Sequence, residues 1–158
     1  MLEKFKKDPN TSHINFTLVK KFVVLTGTNN IDGIVNDSTG FSFHKTIGEI
    51  TSLLSHLHSM APKAIINIVN VLPRNNYERN VAISQLNNFL YNLSCQYREI
   101  NFINTELNRC LFSTVDGFRR NFYFKPSYGK ISDNVHLNKN GIARLAKHLK
   151  YIAHNPNI

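Results

Sequence analysis

Three short apolar runs alternate along the chain with three stretches of helical periodicity, and this alternation constrains the fold more than any other feature. The runs are Phe22-Val23-Val24-Leu25-Thr26, Ala64 to Val71, and Ile100 to Asn104. The first is apolar at successive positions. The second is interrupted only by Asn67 and Asn70. Mostly apolar runs of this length fit strands buried on both faces. Between about Phe43 and Met60, Ile47, Ile50, Leu53, Leu54 and Leu57 recur at helical spacing, and Pro62 closes the segment. Val81, Ile83, Leu86, Phe89, Leu90 and Leu93 predict a second helix over about 77–97. Ile142, Leu145, Ala146, Leu149, Ile152 and Ala153 predict a third over about 139–153, with Asn138 as its N-cap. Strand and helix in alternation give a parallel sheet covered on both sides, whose chemistry gathers at the carboxyl ends of its strands.

The other segments are less regular. Ile14, Phe16, Leu18 and Val19 fit either a strand or a helix, and Asn36 to Gly40 reads as loop. Asn70, Arg74 and Asn75 read as an ordinary polar loop after the second strand. Residues 105–135 show no regular element, an unusual length for a compact domain. A chain of 158 residues, 42% hydrophobic and without repeats or linker, is expected to form one domain, 1–158. No run reaches the length of a membrane span, and Met1 to Asp8 is too charged for a signal peptide. Cys95 and Cys110 have no disulfide framework around them. The expectation is an intracellular, cytoplasmic protein with reduced thiols. His56 and His58, two apart on a helix, point to different faces, and no other cluster has zinc-type spacing. Neither a metal nor a cofactor is expected.

Two polar segments fall where chemistry is expected. Gly27-Thr28-Asn29-Asn30 directly follows the first strand, and Ser132-Asp133-Asn134-Val135-His136 lies in the turn before the last helix. A carboxylate three residues before an imidazole is a compact acid–base device. The imidazole takes a proton while the carboxylate holds the opposite ring nitrogen. An Asn amide at a strand end has the chemistry of an oxyanion donor. Taken singly, each segment also reads as a plain turn, with Asp or Asn bonding nearby backbone.

Together the two segments resemble the SGNH (GDSL-like) hydrolase superfamily, over residues 22–154. Gly27 to Asn30 is similar to that family's Gly-x-Asn-Asp block, with Asn30 in place of the aspartate. Asp133 to His136 is similar to its last block. The resemblance implies a three-layer α/β/α fold with a mostly parallel, flavodoxin-like sheet. It also implies hydrolysis of an ester or acyl bond through an acyl-serine. His136 would be the general base, Asp133 its orienter and Asn29 an oxyanion donor, with Gly27 shaping the turn. The family's serine lies in a Gly-Asp-Ser motif on a strand preceding that block. This sequence contains no Gly-Asp-Ser and no second-block glycine. Ser42, Ser127 and Ser132 lack the tight strand-to-helix setting of an activated serine. The expectation is therefore a domain without the family's N-terminal strand or strands, catalytically inactive as it stands or a truncated product.

Charge supplies an alternative. Nineteen Lys and Arg against ten Asp and Glu leave a net charge of +9. From Gly117 to Lys150, Arg119, Arg120, Lys125, Lys130, Lys139, Arg144, Lys147 and Lys150 face a single acid, Asp133. Phe118, Phe122, Tyr123, Phe124 and Tyr128 are interleaved with the first four. Cations mixed with aromatics suit phosphate contacts and base stacking. The alternative is an RNA-binding module on the same fold, centred on Arg119, Arg120, Lys125 and Lys130. The plainer reading is a solvated helix face and a loop whose aromatics fill core.

Overall fold

The computed structural model describes residues 14–74, 76–97, 101–105, 113–114, 117–118 and 136–155. Strands β1 (Lys21–Leu25), β2 (Ile65–Val69) and β3 (Phe102–Thr105) form a parallel sheet in that order. Val23 lies opposite Asn67, and Asn67 opposite Ile103. Helices α1 (Ile31–Val35) and α2 (Phe41–Met60) connect β1 to β2, α3 (Tyr77–Gln96) connects β2 to β3, and α4 (Lys139–His154) comes last.

The period of two along each strand divides the apolar residues between two faces. On one face Phe22, Val24, Ile66 and Ile68 pack against α2 and α3, with Ile50, Leu57, Leu86 and Leu90 among the buried side chains. On the other, Val23 and Val69 meet Leu145, Leu149 and Ile152 of α4. The result is the three-layer α/β/α arrangement that the alternating pattern predicts. Leu137, just ahead of α4, joins the cluster built on Val69, the last residue of β2. The last turn of α4 reaches the opposite end of the sheet. There Lys21 Nζ donates to the carbonyls of Ile152 at 2.9 Å and Asn155 at 2.5 Å. Helix α4 therefore runs antiparallel to the strands and begins at their carboxyl ends.

Asn138 is the N-cap, its Oδ1 accepting from the Gly141 amide at 3.0 Å. Asn76 caps α3 in the same way, through the Arg79 amide at 2.9 Å. Three segments differ from the sequence expectation. Phe16–Leu18 is a single 3-10 turn, and α1 was not anticipated, because five residues are too few to show a helical period. Within 105–135, read above as irregular, Ser113–Thr114 (β4) pairs antiparallel with Gly117–Phe118 (β5). Two-residue strands offer no alternation to detect.

Candidate active site

The chain leaves β1 through Gly27, whose φ of +94° is left-handed and favours glycine. Space reinforces conformation there. A Cβ on Gly27 would stand 2.9 Å from Leu86 Cδ2 and 3.1 Å from Val71 Cγ2. The backbone thus lies flush against α3 and the loop after β2. It then makes one 3-10 turn, Thr28–Asn30, closed by the Asn30 amide donating to the Gly27 carbonyl at 3.1 Å. Asn29 is exposed on this turn. Asn30 faces α2, its Nδ2 3.5 Å from Glu49 Oε2. An aspartate at position 30 would set two carboxylates against each other, whereas the amide donates. That gives a physical reason for the asparagine at this position.

A second wall is the loop 70–74, docked on α3 by two asparagines seven residues apart. Asn87 accepts from the Val71 amide at 2.9 Å and donates to the Val71 carbonyl at 3.1 Å. Asn80 does the same for Arg74, at 2.8 and 2.7 Å. With its backbone held, Arg74 turns inward and is only 3% exposed. Nη1 contacts Asp32 Oδ1 of α1 at 3.1 Å, and Nη2 donates to the Thr28 carbonyl. Arg79 Nε reaches the same Asp32 oxygen at 2.5 Å. The Arg79 hydrogen bond, with the Arg74 charge beside it, holds the Asp32 carboxyl below its ordinary range, against the opposing effect of burial. Asn70 Oδ1 accepts from Asn104 Nδ2 at 2.7 Å, which ties the loop to β3. Arg74 is therefore a buried structural cation and not part of an ordinary polar loop. A lone Arg in a βα loop carries no local signal of this. The only hint is the pair Asn80 and Asn87, poor helix formers inside a helix.

The third wall begins with His136, exposed and next to Leu137, whose packing on Val69 sets it at the carboxyl end of the sheet. Gly27, Asn29 and His136 thus lie on one rim. Asp133 is outside the described residues, as are Asn75, Ser127, Ser132, Arg119, Arg120, Lys125 and Lys130. Ser42 belongs to the entry of α2. Its amide donates to Asp37 Oδ2 at 2.6 Å and its carbonyl accepts from Thr46 Oγ1 at 2.8 Å. Among the described residues, no three His, Cys, Asp or Glu side chains gather as a metal site, and no helix is long and apolar enough to cross a membrane.

The chain matches no protein-family model and no curated protein. The solved structures it is similar to include the following two. One, from Streptococcus pneumonia, is described as a platelet activating factor. The likeness has a TM-score of 0.64 and 21% identity, and covers 86% of this chain and 60% of that one. The other is phospholipase A1 from Streptomyces albidoflavus NA297, with a TM-score of 0.55 and 13% identity, covering 92% of this chain and 75% of that one. At such identities the likeness shows the fold. It is a parallel α/β fold. The chain spans about 60% of the length of the first of these structures.

Proposed function

We propose that this chain is an SGNH-type ester or acyl hydrolase domain that carries the base and oxyanion halves of the site without the Gly-Asp-Ser nucleophile. The supporting observation is that the Gly27–Asn30 turn follows β1 directly and that His136 precedes Leu137, which packs at the carboxyl end of β2, so both fall at the same end of one parallel sheet. In this reading His136 is the general base and Asp133 fixes its tautomer. The exposed Asn29 amide donates to the developing oxyanion. The description of one neighbour as a phospholipase A1 supports an acyl ester as the substrate class. With no Gly-Asp-Ser serine for His136 to activate, the chain hydrolyses no aryl ester above a no-enzyme control at neutral pH. Supplying a strand that ends in Gly-Asp-Ser, fused ahead of residue 14, creates turnover that His136→Ala abolishes. Turnover in the unmodified chain that survives His136→Ala would reject the assignment of His136. A fused strand that raises the melting temperature without any turnover would reject hydrolysis altogether.

A second reading, RNA binding, is favoured by the outward face of α4. Lys139, Arg144, Lys147 and Lys150 are exposed there, Tyr151 lies among them, and the helix contains no acidic residue. Phosphate contacts release counterions, so affinity for single-stranded RNA falls steeply as salt rises. Replacing Arg144, Lys147 and Lys150 together by Ala weakens binding across sequences. Absence of binding at low salt, or binding indifferent to salt, would exclude this mechanism.

A further inference from the structure

We infer that Arg74 is a positioning residue for the oxyanion side of the site, acting through the carbonyl of Thr28. This deepens the hydrolase reading and rests on its assignment of Asn29 as the donor. Thr28 O belongs to the peptide unit whose nitrogen is that of Asn29. A peptide is planar and trans, so its N–H points opposite to its C=O. When Arg74 Nη2 takes the Thr28 carbonyl from the buried side, the Asn29 N–H is directed away from the guanidinium. The Asn29 side chain branches from the Cα at the edge of that plane, and the residue is exposed.

Each part of the arrangement serves this restraint. The Arg74 backbone cannot drift, because Asn80 of α3 holds both its amide and its carbonyl. The guanidinium spans two acceptors four residues apart, the Thr28 carbonyl and the Asp32 carboxylate, thereby pinning the 3-10 turn to α1. A planar fork with several donors can do this, whereas a lysine ammonium is a single flexible point. Gly27 brings the backbone within reach by lying flush against Leu86 and Val71. Arg74 Nε is buried and has no partner among the described residues. The placement serves the two Nη contacts at the expense of Nε.

Backbone ¹⁵N relaxation of the full chain tests the inference independently of any turnover. In the wild type the Asn29 and Asn30 amides should be as ordered as Ile68 in β2, with order parameters near about 0.85. In Arg74→Met they should fall below about 0.6 while Ile68 and Leu90 keep their wild-type values. Arg74→Lys reaches one acceptor only and should show the same local loss, so it replaces the Met variant should that one fail to fold. Asp32→Asn leaves the Nη2 contact in place and should keep Asn29 ordered. A wild-type turn that is already mobile would overturn the inference. So would Asn29 order unchanged in Arg74→Lys, or a loss shared equally by Ile68. If the turn loosens but the serine-bearing fusion never gains activity, the clamp stands and the hydrolase reading falls.

Discussion

At the scale of single residues, the central strand carries a buried amide that the described residues do not satisfy. Asn67 is fully buried in the central strand between Val23 and Ile103, and among the described residues neither Oδ1 nor Nδ2 has a hydrogen-bond partner. An unpaired buried amide costs about 1–3 kcal/mol. Asn67→Val should therefore stabilise the protein by about 1–2 kcal/mol, or about 2–6 °C in a thermal melt. A melting temperature that stays or drops would show that the amide is satisfied in solution. Gly27 is the opposite case, a residue whose smallness is needed twice. Gly27→Ala combines a left-handed backbone with a Cβ 2.9 Å from Leu86, and should destabilise by about 2–3 kcal/mol in denaturant titrations. Leu86→Ala in the same chain makes room for that Cβ. The double variant should thus cost less than the sum of the singles.

Among the elements, the short helix α1 and the entry to α2 depend on carboxylates. Asp37 accepts from the hydroxyl and amide of Thr39 and from the Ser42 amide, ordering the turn ahead of α2. The Thr39 hydroxyl first, then the Ser42 amide, holds its carboxyl well below the ordinary range. Asp32 is lowered chiefly by its bond from Arg79. A group whose pKa is depressed by folding contributes stability above its unfolded value, near about 4, and loses it as pH falls further. The melting temperature should accordingly hold above about pH 5 and decline toward pH 2. Asp37→Asn and Asp32→Asn should each flatten that decline, which a series of melts between pH 2 and 6 checks. The longer elements were legible from their period. Helices α2, α3 and α4 fall within two residues of the ranges that Ile50, Leu86 and Leu149 mark out, and Asn138 caps α4 as its position predicts. The short ones were not. Five helical residues in α1 and two paired residues in β4 and β5 complete no period, and the contacts that hold them come from distant segments.

For the whole molecule, charge and topology set the remaining expectations. A net charge of +9 on 158 residues repels itself in the compact state, and salt screens that repulsion. Raising NaCl from low to physiological ionic strength should add about 1 kcal/mol, or about 2–4 °C, to the melting point. A fall in that interval would mean that attractive ion pairs such as Arg79–Asp32 outweigh the repulsion. The sequence by itself determined the layers. Consecutive apolar positions in Phe22–Leu25 and Ile65–Val69 require cover on both faces, and the helical stripes of α2, α3 and α4 supply it. The Gly27–Asn30 turn directly after the first apolar run, and His136 just ahead of the last helical stripe, could likewise be read off as positions from the sequence. Only the tertiary structure decided that Arg74 is buried, that its guanidinium joins the Thr28 carbonyl to Asp32, and that Asn80 and Asn87 hold its loop. Periodicity reports which face of an element is apolar, a property of neighbours in the chain. A bond between residues 46 apart exists only once the sheet has brought two strand ends together.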